Sequence, residues 1–522
     1  MIAIMGWVCI LAVSAATLAL MTYGLHLYAL LYLFRRRVDE KRKAQRTTID
    51  RYHGQAARSV HRVVTTQIPI YNERDVAVRV IEAAAAMAYP AGGHEIQVLD
   101  DSDDATGDVV DAVAARLNAG GADVKVIRRA ERVGYKAGAL AHGLTLARGE
   151  YIVIFDADFV PPSDFLYKAV PLIDADDGLA CVQARWAHLN RDESWLTEAQ
   201  AYGIDAHFAI EQGARAWNGL MMNFNGTAGI WRKRAIDDPN VGGWSGDTLT
   251  EDLDLSYRAQ LAGWRIDYCM DLPCPAELPG TMGALKSQQR RWATGSTQVA
   301  RKLLPRVWRS KRSLGEKVEA TLHLTHYSVA VWMLVLAVVV RPLLFVFTDV
   351  ALFDAWFGYA WLVVLVSACA PSLIYAYARY VLDGRITGFR AIPSMLVLGC
   401  GMCVNNAVAV VRGLYERGGE FVRTPKSGST VRVTKTSSYR TIQDRMWLVE
   451  LGLGVYSCLS FTAYFQGYHR GFSVFLLIYT LGFLLVGWAS RPRFAPSSSE
   501  ERRGLAPLLD ADVGSVESVG NA

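Results

Sequence analysis

Apolar positions are pooled along this chain. Residues 2–34 are almost free of charge and carry Trp7, Leu11, Leu18, Leu20, Leu25 and Leu31; a basic run, Arg35, Arg36, Arg37, Lys41, Arg42 and Lys43, follows at once. The run is too long for a signal-peptide core and no basic segment precedes it. It reads as a signal anchor whose N-terminus lies outside, with residues 35 onward in the cytosol. A second apolar block begins after Arg309, Lys311, Arg312 and Lys317. Within it, 323–348 reads as an outward crossing and 357–381 as the return, and two more follow at 446–465 and 470–488. Arg341, inside the first of these, is expected to face a partner or a wet cavity and not lipid. Residues 392–411 are less apolar, carry Asn405 and Asn406, and lead into a very basic stretch with Arg412, Arg417, Arg423, Lys426, Arg432, Lys435 and Arg440. A crossing there would place those charges outside, so the segment reads as an interfacial or re-entrant helix. The pattern predicts five crossings and one interfacial helix, with six crossings as the alternative.

Between the two apolar blocks the pattern changes to that of a globular domain. Short β-branched runs at 63–70, 95–99, 124–127 and 151–155 alternate with helical stretches at 76–87, 106–118 and 137–148. This rhythm predicts an α/β fold, a doubly wound sheet with helices on both faces. The domain organisation follows: an N-terminal transmembrane helix (1–34), a cytosolic linker (35–60), a catalytic domain (61–305), a membrane region (306–489) and a disordered tail (490–522) rich in Ser, Gly, Pro and acidic residues.

Composition sharpens this in three places. A hydrophobic share of 52% over 522 residues is too apolar for a purely soluble enzyme. The net charge of +5 is small, and its Lys and Arg lie beside apolar segments, which favours membrane topology over nucleic-acid binding. The eight cysteines are far apart and form no disulfide framework; Cys400 and Cys403 read as small packing residues, and His323 and His326 as interfacial ones.

The chemistry sits where strands end. After the first strand comes Tyr71-Asn72-Glu73, after the second Asp100 to Asp104, and after the strand at 151–155 the pair Asp156 and Asp158. In doubly wound sheets ligands bind beyond the carboxyl ends of strands. Acceptors on a rigid edge suit a base and ribose. A diphosphate beside carboxylates needs a divalent cation, and hard oxygen ligands suit Mg2+ or Mn2+. Thr250-Glu251-Asp252 opens a helical stretch. A sugar hydroxyl needs a general base, and a carboxylate there should be held ionised by the helix N-terminus; an N-cap is the plainer reading of the same residues. Gln288, Arg291 and Trp292 precede the second apolar block. Arg pairs with phosphate and Trp offers a flat face to a sugar ring, although a basic-aromatic membrane belt has the same composition.

Together these residues resemble the processive family-2 glycosyltransferases, which include cellulose, mannan and hyaluronan synthases. Their D, DxD, TED and QxxRW pattern is met in order by Asp101, Asp156/Asp158, Thr250 to Asp252, and Gln288/Arg291/Trp292. Stretches 67–73 (QIPIYNE), 97–103 (QVLDDSD), 134–140 (GYKAGAL), 155–159 (FDADF), 182–186 (VQARW), 224–229 (FNGTAG) and 247–260 resemble the cellulose-synthase-like A group of mannan and glucomannan synthases and its bacterial relatives. The resemblance implies a GT-A nucleotide-sugar domain inserted in a helical membrane region. It implies that Tyr71, Glu73 and Asp101 hold the nucleoside, and that Lys136 and Asp156 lie near the diphosphate. Asp158 with Asp156 would bind the metal, Asp252 would be the base, and Gln288, Arg291 and Trp292 would bind diphosphate and acceptor. Phe421, Thr424 and Lys426 resemble a gating loop, FxVTxK, with Arg423 in place of the Val.

The expected activity is a processive inverting transferase that polymerises a β-linked mannan, glucomannan or glucan. Its donor is GDP-mannose or UDP-glucose, and it exports the chain from a plasma or inner membrane. The alternative is a single transfer to a lipid acceptor, of the ceramide-glucosyltransferase kind. Expected partners are the nucleotide sugar, the growing polysaccharide and membrane lipids. Five crossings are few for a closed polymer channel, which leaves a homodimer or an envelope partner open.

Overall fold

The computed structural model describes residues 2–55, 62–346, 350–385, 389, 392–419, 445–466 and 470–492, without the side chains of 2–5, 55, 345, 346, 350–364 and 470–472. The gating-like residues Phe421, Thr424 and Lys426, and the tail from 493 onward, lie outside the described residues.

Among the described residues seven strands form one sheet: β1 (Val64–Ile70), β2 (His94–Asp100), β3 (Val124–Ile127), β4 (Tyr151–Ile154), β5 (Leu179–His188), β6 (Gly229–Arg232) and β7 (Arg265–Ala276), in the order β3-β2-β1-β4-β6-β5-β7. The first four match the runs read from the sequence. They pair in parallel, Ile70 beside Asp100 and Gln67 beside Ile154, so their carboxyl ends align on one edge. Near-continuous burial of β1, β2 and β4 is what a parallel sheet covered on both faces demands. Strand β6 departs from the doubly wound expectation, because it runs antiparallel to both β4 and β5. Its 4 residues are too few to show a period, so nothing in the sequence announces it.

The anchor is one helix, Ile2–Gln55, and it continues through residues 35–55, which the charge pattern reads as a linker. Its second half is held to the sheet domain. Leu30 and Phe34 are buried with Trp217 and Tyr268, and Arg42 and Arg46 share Asp271 of β7.

Five helices among the described residues are long and apolar enough to cross a membrane: the anchor helix, Leu365–Asp383, Ile392–Tyr415, Met446–Gln466 and Ser473–Ser490. The expected crossing at 323–348 is bent: Leu314–Leu324 and Ser328–Leu344 meet at 63°, and the Tyr23 hydroxyl of the anchor lies 2.7 Å from Thr325 Oγ1 and 3.0 Å from Ser328 Oγ at the break. Helix Ile392–Tyr415 lies alongside the long polar helix Met282–Arg309. Arg290 reaches Asn405, Thr294 Oγ1 donates to the Ala409 carbonyl at 3.1 Å, and Arg301 donates to the Leu414 carbonyl at 2.6 Å. Cys400 and Cys403 are buried and unbridged.

Candidate active site

The first turn of chain beyond β1 needs a left-handed residue, and Asn72 supplies it with φ +53. Its side chain donates to Asp103 at 2.7 Å and accepts from the Asp103 backbone at 3.1 Å, which knits the loops after β1 and β2 together. Asp101, at the end of β2, is gripped by Arg129: Nε lies 3.0 Å from Oδ1, and Nη2 donates to Oδ2. Arg129 also donates to the Val133 and Tyr135 carbonyls and so fixes the turn that leads into Lys136. The Arg132 guanidinium lies over the Tyr71 ring, 3.2 Å from its centroid.

Beyond β4, the Asp156 backbone N–H donates to Thr227 Oγ1 at 2.9 Å, tying the DxD turn to the 224–229 loop. Gln183 of β5 holds the other side of that loop, accepting from Asn225 N–H and donating to the Thr227 and Ala228 carbonyls. Ala228 sits at φ +54, strained backbone that this bracing sustains.

Lys136 is the electrostatic centre. Its ammonium lies 2.6 Å from Asp156 Oδ1 and 3.6 Å from Glu251, and donates to the Gly226 carbonyl at 2.9 Å. Burial alone would depress the ammonium, but Asp156 and Glu251 outweigh it and hold it above its ordinary value. Burial pushes the Asp156 carboxyl up in spite of Lys136, and Asp158 adds to the rise.

Asp252 occupies the first turn of helix Glu251–Leu261. Thr250 provides no side-chain cap, so the N-cap reading fails for it. Asp252 Oδ1 accepts from the Leu253 N–H at 2.8 Å, yet its pKa is raised to about 7, first by burial and then by Glu251. The helix N-terminus does not hold it in the ordinary carboxylate range, because desolvation and the adjacent carboxylate exceed the dipole and Lys136. Gly226, at φ +82, lets the loop pass close: a Cβ there would stand 2.9 Å from Asp252 Oδ2.

Gln288, Arg291 and Trp292 fall at i, i+3 and i+4 of helix Met282–Arg309, one face of that helix. Gly295, one turn on, lets this helix touch the other: a Cβ there would stand 2.6 Å from Thr250 Cγ2.

These elements close around one open cavity of about 1280 Å3, its mouth included. Tyr71, Glu73, Asp101, Lys136, Asp156, Asp158, Thr250, Glu251, Asp252, Gln288, Arg291 and Trp292 all line it, which is every site residue read from the sequence except the gating-like three. Sequence reasoning assigns no role to Arg132, Trp186, His188 or Glu277, which line it too. Trp186 falls in the VQARW stretch, and its flat stack on Phe208 (4.9 Å, 24°) is a tertiary fact with no local signal.

A family model for "Glycosyltransferase like family 2" matches residues 61–295. Glucomannan 4-beta-mannosyltransferase 2 of Arabidopsis thaliana is 33% identical over 454 residues, 83% of this chain and 82% of its own. The chain belongs to glycosyltransferase family 2. Glucomannan 4-beta-mannosyltransferase 7 of the same plant is 32% identical over 90% of this chain and 83% of its own. Among solved structures, mannosyltransferase PcManGT from Pyrobaculum calidifontis, in complex with GDP-Man and Mn2+, is similar at 20% identity and a TM-score of 0.45, over 76% of this chain and 99% of that one. As a member of this family the chain is a hexosyltransferase with a GT-A catalytic domain. Every residue that lines the cavity lies within the part that the family model covers.

Proposed function

We propose that the protein is a processive, inverting hexosyltransferase that extends a β-linked mannan or glucomannan from GDP-mannose, with UDP-glucose as the second donor to try. One observation carries this reading: Asp252 shares a cavity with the Asp156/Asp158 pair and with the Gln288, Arg291, Trp292 face. Identity to glucomannan 4-beta-mannosyltransferases over most of both chains supports the choice of sugar.

The residues fit a divalent cation. Among the residues that line the cavity, the acids Glu73, Asp101, Asp156, Asp158, Glu251, Asp252 and Glu277 outnumber the cations Arg132, Lys136 and Arg291, an excess of negative charge that a diphosphate would worsen. No group of three or more His, Cys, Asp or Glu among the described residues could hold a metal alone. Asp158 with Asp156 would therefore share Mg2+ or Mn2+ with phosphate and water, the usual mode for such ions. Bound there, the cation would neutralise charge developing on the leaving diphosphate.

The protein's own groups do the rest. Tyr71, Glu73 and Asp101 hold the nucleoside, Asp101 kept in place by Arg129. Lys136 and Arg291 steady the diphosphate. Asp252 takes the proton of the acceptor hydroxyl as its oxygen attacks the anomeric carbon. The bond from that carbon to phosphate oxygen breaks, the nucleoside diphosphate leaves with the electron pair, and an α-linked donor becomes a β-linkage. Trp292 stacks on the acceptor end.

The chain crosses a membrane with its catalytic domain in the cytosol and passes the polymer outward. Helix Ile392–Tyr415 is read as interfacial: it runs parallel to the charged helix Met282–Arg309 from Arg290 to Arg301, and a helix so tied shares its partner's depth.

The test is donor turnover by the purified, detergent-solubilised chain with Mn2+ or Mg2+, comparing GDP-mannose with UDP-glucose and wild type with Asp252→Asn. Polymer from one donor, lost in the variant, is the expected result. A radiolabelled product that partitions into organic solvent would instead mark a lipid acceptor and overturn the reading.

A further inference from the structure

The cavity wall beside Trp292 holds a histidine that the mechanism above does not use. His188 is the last residue of β5, two positions beyond Trp186, so both project from one face of the strand into the cavity. Its Nε2 lies 2.9 Å from Asp205 Oδ1 of helix Trp195–Ala206, and Asp205 Oδ2 accepts from Arg379 Nη1 at 2.8 Å. Arg379 belongs to helix Val350–Asp383, whose stretch from Leu365 is long and apolar enough to cross a membrane. All three side chains are nearly closed off, 6%, 3% and 7% exposed. The Asp205 carboxylate is an acceptor only, so Nε2 must carry a proton, and Arg379 takes the second carboxylate oxygen. Nδ1 is left as the remaining polar atom of the ring, and no hydrogen bond to it exists among the described residues.

Flat aromatic faces beside one directed hydrogen-bonding group make a hexose subsite, because the ring stacks and a hydroxyl sets its rotation. Trp186 and Trp292 lie 6.3 Å apart between ring centroids, and the metal-binding pair Asp156/Asp158 belongs to the DxD turn beyond β4.

We propose that His188 binds the acceptor sugar, its Nδ1 accepting a hydrogen bond from a hydroxyl of the chain end. Asp205 and Arg379 are positioning residues that fix the tautomer and orientation of the ring. This rests on the transferase reading above and adds a residue that selects and registers the acceptor. It also gives helix Val350–Asp383 a route to the site, since a displacement of Arg379 would release Asp205 and with it the ring.

The experiment measures two rates with the full-length detergent-solubilised chain and GDP-mannose: donor hydrolysis without acceptor, and transfer to a soluble β-linked manno-oligosaccharide. His188→Phe keeps a flat aromatic ring and removes both nitrogens. It should raise the acceptor KM about tenfold, the worth of one hydrogen bond to a hydroxyl, with donor hydrolysis within about twofold of wild type. His188→Gln, whose amide oxygen can accept, should recover part of the loss. Asp205→Asn should shift the acceptor KM in the same direction, again with hydrolysis unchanged. An unaltered acceptor KM in His188→Phe would overturn the inference, and so would a parallel fall of hydrolysis and transfer, which marks a structural role only. Wild-type hydrolysis without any transfer to the oligosaccharide would instead overturn the polysaccharide reading and the inference with it.

Discussion

At the scale of single residues the site is governed by how few cations face its carboxylates. Asp252 is pushed up to about 7 by burial and by Glu251, so it is half ionised at neutral pH and protonated below it. The proposed general base works only in its ionised form. The rate must therefore rise with pH through this value, and kcat/KM should fall about tenfold per unit on the acid side of about 7. Lys136 opposes the rise. Lys136→Met removes that opposition, so its acid limb should move to higher pH while donor KM increases; a limb at unchanged pH would show that another group controls it. Asp252→Asn removes the proposed base outright and should lower kcat by about 100- to 10,000-fold with donor KM within about twofold, measured as initial rate against donor concentration.

At the scale of elements, the decisive contacts are between helices that come late in the chain. Gly295 is where helix Met282–Arg309 meets Thr250, and a methyl there would stand 2.6 Å from Thr250 Cγ2 and 2.9 Å from its backbone N. Gly295→Ala should cost about 1–3 kcal/mol by overpacking, seen as a lower thermal midpoint, and should lower transfer because it parts Trp292 from Asp252. The sequence displays some of this and hides the rest. The i, i+3, i+4 spacing of Gln288, Arg291 and Trp292 is enough to put them on one helical face, and the alternation of β-branched and helical runs from 63 to 155 shows the parallel strands and the acidic groups at their ends. Strands β5, β6 and β7 are not legible in the same way. β6 is 4 residues long, and the bulged pairing of β5 with β7, shifted between Ala184 and Arg185, breaks any simple period. The grip of Arg129 on Asp101 and the stack of Arg132 on Tyr71 depend on loop geometry that no spacing encodes. The rise in the Asp252 pKa escapes the sequence for a related cause: the helix start is visible there, and the burial around it is not.

At the scale of the whole molecule, catalytic and membrane-type helices are joined by charge pairs that water barely reaches. Lys286, two residues before Gln288, lies 2.8 Å from Glu450 of helix Met446–Gln466, with side chains 5% and 0% exposed. The backbone carbonyl of Lys286 also accepts from Asn405, so three helices converge on one residue. A buried pair of this kind adds little net stability, because desolvating two ions offsets most of their attraction, but breaking it strands one charge. Glu450→Gln should therefore destabilise the protein by about 3–5 kcal/mol, whereas the double change Lys286→Met with Glu450→Leu should return the thermal midpoint close to that of wild type. Product length separates stability from coupling. Apolar side chains fill the same space but do not specify one rotation of helix Met282–Arg309 about its axis, and that rotation aims Trp292 into the cavity. The double variant should thus regain its midpoint and its donor hydrolysis while making shorter polymer, sized on a gel against wild type. Full-length polymer from the double variant would mean that the pair only holds the helices together, and that the acceptor face is set by packing such as that at Gly295 instead.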